Sequence, residues 1–125
     1  MTPRDLRVGN MISYNGEPVM VEGIEKTHIT ITNNKRVDVT DSGLGYIPIN
    51  ENIIKTLKFY KYSHKNGSTF WIDNTSSVCY NTDRSSLWSF NEVDGSVSFI
   101  SNCRFFHHLQ NLYYFIVNNE INIFE

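Results

Sequence analysis

Residues 11–21 read MISYNGEPVMV, and this stretch predicts the first β-hairpin of the protein. Met11 to Tyr14 form a short run suited to a strand, and Asn15-Gly16 is the dipeptide most typical of a two-residue hairpin turn. The chain then returns through Pro18 to Val21. Because so short a turn joins only antiparallel strands, we expect the fold to begin as an antiparallel sheet.

Two more alternating segments follow within the first part of the chain. In residues 28–32, HITIT, every second residue is apolar, and residues 36–39, RVDV, repeat this period after Asn33-Asn34. Alternation of this kind is typical of strands with one buried face. Short strands joined by tight turns predict an SH3-like, strongly curved antiparallel sheet.

The centre of the chain predicts a short helix and then a run of strands. Asn50 is a good N-cap for a helix of about two turns, with an apolar stripe formed by Ile53, Ile54 and Leu57. From Phe59 to Phe106, apolar runs alternate with turn residues, including the hairpin dipeptide Asp94-Gly95. Such short links predict an antiparallel meander.

The last segment returns to helical spacing. Apolar residues predict a C-terminal helix over residues 106–117, ended by Asn118-Asn119. Ile121, Ile123 and Phe124 then predict a closing strand. We expect residues 1–125 to form a single α+β domain. In this domain an N-terminal SH3-like curved antiparallel sheet precedes an antiparallel meander, with one short middle helix and one C-terminal helix.

Composition limits the classes of partner. The 125 residues carry a formal net charge of −2, so general binding to nucleic acid is not expected. No apolar run approaches the roughly 20 residues that cross a bilayer, and the N-terminus lacks the apolar core of a signal peptide. We therefore expect a cytoplasmic protein that does not enter a membrane.

The sequence lacks motifs of catalysis and metal binding. His107 and His108 are adjacent and are expected to diverge by about 100° on a helix, and no histidine or cysteine has the spacing of a metal site. His108, on the apolar stripe, is the best candidate for a buried, hydrogen-bonded histidine. Cys79 and Cys103 are expected to be reduced and buried. The sequence therefore predicts no metal, no cofactor and no catalytic residue.

Basic and aromatic residues offer the chemistry of a ligand site. Residues 55–65, KTLKFYKYSHK, place lysines among rings, and alternation puts Tyr60 and Tyr62 on one face with Phe59 and Lys61 on the other. Rings stack on bases and lysines neutralise phosphates, so the stretch fits a nucleotide-like ligand. Packing of the rings, with solvated lysines, is the alternative. The candidate ligand-binding residues are Arg7, Arg36, Tyr60, Tyr62, Trp71, Trp88 and Arg104.

Three segments resemble a family of small proteins common in phages and prophages of Bacteroidetes. Residues 6–16, LRVGNMISYNG, are similar to the opening of these proteins, and residues 106–115, FHHLQNLYYF, to their C-terminal helix. Residues 47–59 are similar to a middle motif of the family, in which a glycine stands where this chain has Lys58. The resemblance implies a phage accessory protein but no settled activity and no catalytic residues.

Small phage proteins of this broad class often sequester nucleotide-derived immune signals in oligomer pockets. By this analogy our first hypothesis is a homo-oligomeric phage protein that binds and sequesters a nucleotide-derived small molecule without catalysis, and so blunts host defence. A nucleic-acid or protein-interaction module built on the SH3-like half is one alternative. An enzyme that degrades a nucleotide signal is another, because catalytic groups converge in space and not in sequence.

Overall fold

The computed structural model describes residues 1–121 and begins with the predicted hairpin. Strands β1 (Met11–Tyr14) and β2 (Glu17–Ile24) are joined through Asn15 and Gly16, whose φ angles are 52° and 82°. Both angles lie in the left-handed region that this turn requires and that Asn and Gly reach most readily. The local turn chemistry therefore sets the register of the first two strands.

Three further strands complete the first sheet. β3 (His28–Ile31) and β4 (Lys35–Asp38) extend it on one side, and the two-residue β5 (Leu44–Gly45) pairs with β1 on the other. The antiparallel order is β4-β3-β2-β1-β5, which confirms the predicted SH3-like curved sheet. Its small core is formed by Leu6, Ile12, Val21, Ile29, Ile31 and Val37.

The short middle helix, α1 (Glu51–Thr56), has the predicted N-cap. The Asn50 side chain accepts a hydrogen bond from the N–H of Ile53 at 2.9 Å. This contact satisfies one of the amides that a helix start leaves without an intrahelical partner. Two residues beyond the helix, Lys58 has a φ of 64°. The chain turns there and enters the second sheet.

The second sheet is the predicted antiparallel meander. Its strands lie in sequence order and are β6 (Tyr60–Ser63), β7 (Thr69–Ile72), β8 (Val78–Asn81), β9 (Ser86–Phe90) and β10 (Val97–Asn102). Residues 91–96 join β9 to β10, a longer loop than the two-residue turn that Asp94-Gly95 predicts. The Tyr62 hydroxyl donates to the Gly95 carbonyl at 3.3 Å, and a Cβ at Gly95 would lie 2.6 Å from that hydroxyl.

The C-terminal helix, α2 (Phe106–Val117), packs on the second sheet and ends as predicted at Asn118, whose φ is 63°. A single residue in the left-handed conformation commonly ends a helix. The helix and the sheet share the main core, whose members include Trp71, Tyr80, Leu87, Phe106, Leu109 and Tyr113.

Two further predictions concern the closing strand and the absence of a membrane span. Ile123 and Phe124 of the predicted closing strand lie outside the described residues, and Ile121 is the last residue that the structure describes. Of the helices found within residues 1–121, none combines the length and the apolar character needed to cross a membrane.

Candidate functional site

Arg7 joins the N-terminal segment to the end of the chain. Its guanidinium binds both carboxylate oxygens of Glu120, at 2.5 and 3.1 Å, and donates to the side chain of Asn111 at 3.1 Å. It also covers the Tyr114 ring at 4.6 Å. These contacts give Arg7 a structural role that needs no ligand.

The other two predicted arginines lie elsewhere. Arg36 on β4 forms a two-pronged pair with Glu25, with N–O distances of 2.8 and 3.0 Å. The hydrogen bond between these side chains raises the pKa of Arg36 and lowers the pKa of Glu25. Arg104 is exposed just before α2, with its guanidinium 5.9 Å from the centre of the Phe105 ring. The structure does not bring the three arginines into one site.

Tyr60, Tyr62 and Trp88 lie on the face of the second sheet that points away from α2. The Trp88 ring contacts Phe70 and Phe99 edge to face, with centroid distances of 5.6 and 5.5 Å. Such contacts stabilise packed ring clusters, so packing is sufficient to explain Trp88. Tyr60 is half exposed, and its hydroxyl lies 3.0 Å from a serine hydroxyl in the β7–β8 turn.

Trp71 borders a polar recess on the opposite face of the second sheet, which we call the Lys61 pocket. The recess has a volume of about 180 Å³. The start of α1, strands β6 and β7, and the loop after β8 all contribute to it. Its lining residues are Glu51, Lys61, Thr69, Trp71, Thr82 and Asp83.

The pairing of β6 with β7 places a cation beside an indole ring in this pocket. Lys61 is the direct cross-strand partner of Trp71, so the two side chains share one face. Thr69 lies two residues before Trp71 on the same strand and faces the same way. Trp71 is only 7% exposed, so most of its side chain packs in the main core and a small part of it borders the pocket.

The Lys61 pocket contains charged groups of both signs. Lys61 is exposed and forms no ion pair within the part of the chain that the structure describes. Glu51 lies 3.4 Å from Lys55 of the same helix, and Asp83 supplies a second carboxylate. An ammonium group can bind phosphate, while carboxylates accept hydrogen bonds from hydroxyls. The pocket therefore suits a ligand that carries both phosphate and sugar groups.

Trp71 is the one lining residue among the predicted ligand-binding residues, and the sequence prediction did not include Glu51, Lys61, Thr69, Thr82 and Asp83. Alternation correctly placed Lys61 opposite in direction to Tyr60 and Tyr62, but the predicted site took the two tyrosines from the other face. Thr82 and Asp83, however, come from a loop that only the folded sheet brings next to β6. No local pattern in their part of the chain marks them.

His107, not His108, is the buried histidine of α2. Its ring is fully buried, and neither ring nitrogen has a hydrogen-bond partner among the described residues, so the prediction for His108 is wrong. The His107 ring stacks on Tyr46 at 4.6 Å, because residues before α1 cover that side of the helix. The His108 ring lies 4.2 Å away, so the two histidines do not diverge as expected. Burial lowers the pKa of His107 to about 4.

Asp73 is a buried carboxylate that serves the fold. It accepts hydrogen bonds from the N–H groups of Ser77 at 2.9 Å and Val78 at 3.0 Å, and from the Tyr113 hydroxyl at 3.0 Å. Burial, together with this bond to Asp73, raises the pKa of Tyr113 to about 12. The carboxylate thus closes the β7–β8 turn and fastens it to α2.

Metal-ligating side chains do not cluster in the described chain. Within residues 1–121, no group of three or more His, Cys, Asp or Glu side chains could hold a metal ion. Cys79 and Cys103 are free and buried, as predicted. No protein-family model matches the chain, and no curated protein and no solved structure shows significant similarity to it.

Proposed function

We propose that this protein binds a small phosphorylated ligand of the nucleotide class in the Lys61 pocket and holds it unchanged. The observation that carries the proposal is that an exposed ammonium group, hydroxyls and carboxylates line one recess beside Trp71. In a phage or prophage accessory protein, such binding would withdraw a nucleotide signal from host defence.

Each part of the pocket suits one part of such a ligand. Lys61 offers a positive charge to a phosphate. Glu51 and Asp83 can accept hydrogen bonds from ribose hydroxyls, as acidic residues do in dinucleotide-binding sites. The threonine hydroxyls can donate or accept, so they suit either group.

The size and charge of the pocket narrow the ligand further. Its volume of about 180 Å³ is smaller than the roughly 300–1,000 Å³ of sites that enclose a whole ligand. The pocket therefore fits the sugar-phosphate portion, with the base at its rim. Two carboxylates beside one lysine repel additional phosphates, which favours a ligand with one or two phosphates and a ribose diol.

The lining favours holding over cleavage. Among the described residues that border the pocket there is neither histidine nor cysteine, the groups that most often act as base or nucleophile. Glu51 and Asp83 are the remaining groups that could accept a proton from water. The test of the proposal therefore follows the integrity of the ligand as well as its binding.

The first measurement is the melting temperature with AMP, ADP-ribose, cyclic ADP-ribose and a cyclic dinucleotide. A ligand at about 100 times its Kd stabilises the folded state by about 2.7 kcal/mol, which raises the melting temperature by roughly 5–15 °C in a domain of this size. Lys61→Ala removes a charged hydrogen bond and should weaken binding about tenfold or more. Lys65→Ala, an exposed lysine in the β6–β7 turn outside the pocket, is the matched control and should bind as the wild type does.

The second measurement is recovery of the ligand after heat denaturation of the complex. Intact ligand supports the proposal, whereas a product that disappears in Asp83→Asn replaces it with an enzyme. Salt-sensitive binding of single-stranded oligonucleotides without any nucleotide effect replaces it with an interaction module. The proposal also fails when none of the nucleotides raises the melting temperature, or when Lys61→Ala binds them as tightly as the wild type.

A further inference from the structure

The outward side of α2 carries no charged residue and exposes a large apolar ring, whereas a surface helix normally carries charge there. His108, Asn111, Leu112 and Phe115 recur at helical spacing and form what we call the α2 outer face. Phe115 is 87% exposed, and the next residue, Ile116, is also exposed. Neighbouring exposed apolar side chains of this size are typical of an interaction surface.

A recess lies on the same face, one turn before Phe115. It has a volume of about 300 Å³ and lies between α2 and the end of strand β10. We call it the α2 groove, and its lining residues are Ser101, Asn102, His108, Asn111 and Leu112. The projecting Phe115 ring and the α2 groove therefore lie next to each other along the α2 outer face.

We propose that two copies of this chain pair through their α2 outer faces, with Phe115 of each copy in the α2 groove of the other. In an antiparallel helix pair related by a twofold axis, a residue on one side of the axis faces the residue of the other copy that lies equally far on the other side. The groove and Phe115 are about five residues apart, or about 7 Å along the helix. The axis then passes close to Leu112, so that the Phe115 ring of each copy reaches the α2 groove of the other copy at the same time.

The distribution of charge favours a second copy over a different partner. No Lys, Arg, Asp or Glu occurs in residues 106–117, so a twofold contact brings no like charges together along the helix. At its two ends, the antiparallel arrangement brings the exposed Arg104 of one copy toward the C-terminal end of the other copy's helix, where the helix dipole is negative. Exposed strand edges elsewhere carry charges, such as Lys35, Arg36 and Asp38 on β4.

The size of the contact predicts a weak dimer. A twelve-residue helix is about 18 Å long, and the pair it forms is smaller than the roughly 800 Å² per partner of a standard interface. Two inserted phenylalanine rings, each burying on the order of 150 Å², are the main contribution. We therefore expect a dissociation constant in the micromolar range.

The test is sedimentation equilibrium of the full chain at concentrations from roughly 5 to 500 µM, a range that brackets micromolar association. Phe115→Glu should weaken the dimer about tenfold or more, because it replaces the inserted ring with a charged group that loses its hydration on entering the α2 groove. Val93→Glu is the matched control, since Val93 is 92% exposed in the β9–β10 loop, away from α2. It should leave the dimer unchanged, and both variants should keep the wild-type melting temperature of the monomer.

A cross-link tests the predicted axis independently. Leu112→Cys should form a disulfide-linked dimer on mild oxidation with diamide, because the two thiols meet at the axis, whereas Val93→Cys should not. The native cysteines are buried and do not compete. A wild-type chain that stays monomeric across the range overturns the proposal, as does a dimer that Phe115→Glu leaves intact. Lys61→Ala should not affect the dimer, so a failure here is separate from a failure of nucleotide binding.

Discussion

The side-chain carbonyl of Gln110 accepts a hydrogen bond from the backbone N–H of Met11 at 2.7 Å, and both residues are buried. This bond joins α2 to the first strand of the other sheet. The Gln110 amide also donates to the carbonyls of Gly9 at 3.2 Å and Ile121 at 3.0 Å. One side chain thus satisfies three backbone groups at the place where the two halves of the fold meet.

Replacement of this glutamine should therefore be costly. Gln110→Leu keeps the volume but leaves a buried N–H and two carbonyls without their partner, and each such group costs about 1–3 kcal/mol. We expect the free energy of unfolding to fall by about 3 kcal/mol, measured by urea denaturation. Asn119→Ala, at an exposed position just beyond α2, should change it by less than about 0.5 kcal/mol. Equal stability of the two variants would mean that water replaces the glutamine without cost.

Acid should destabilise the protein through His107. The histidine has a pKa of about 4 in the folded state, against about 6.5 in an unfolded chain. Between these values the unfolded state binds the proton more strongly, so stability is complete above about pH 6.5 and falls as the pH drops toward 4. The difference between the two pKa values corresponds to a loss of about 3 kcal/mol in the free energy of unfolding.

His107→Phe should remove this part of the acid sensitivity. A phenyl ring keeps the contact with Tyr46 and carries no nitrogen that lacks a hydrogen bond, so the variant should be at least as stable as the wild type at pH 7. The measurement is the free energy of unfolding between pH 4 and pH 7 for both proteins. His28→Gln, at a partly exposed position on β3, should retain the wild-type loss. Parallel pH curves for His107→Phe and the wild type would contradict the prediction.

Lys58→Gly should stabilise the protein. Lys58 has a φ of 64°, which lies in the left-handed region. A Cβ is strained in this conformation, whereas glycine has no Cβ and adopts it readily. We expect a gain of about 0.5–1 kcal/mol in the free energy of unfolding. Lys55→Gly, three residues earlier inside α1, is the matched control and should lose about 1 kcal/mol, because glycine is a poor helix former. If both variants lost a similar amount of unfolding free energy, the greater backbone freedom of glycine in the unfolded state would dominate at both positions, and the prediction would be wrong.

Residues 6–16 and residues 106–115 contact each other in the fold. The Asn10 side chain, from LRVGN, donates to the Asn111 side chain, from HHLQNLYYF, at 2.7 Å. Arg7 and Gln110 add further bonds across the same boundary. The docking of α2 onto the N-terminal chain therefore explains Arg7, Asn10, Gln110 and Asn111. The Lys61 pocket lies outside them.

The sequence by itself determined the features that depend on neighbouring residues. The Asn15-Gly16 turn, the Asn50 cap and the end of α2 at Asn118 follow from backbone preferences and hydrogen bonds within a few positions. Strand alternation likewise separated Lys61 from Tyr60 and Tyr62. These features could be predicted because their free energy comes from contacts that are local in the chain.

Only the tertiary structure decided which polar and aromatic side chains have partners. Arg7 meets Glu120, and Tyr46 covers His107, through contacts between segments far apart in sequence. Such contacts depend on how two sheets and a helix pack together, and no period or turn residue encodes them locally. The same long-range packing buries most of Trp71 beside Lys61, and it creates the recess in which we place the ligand.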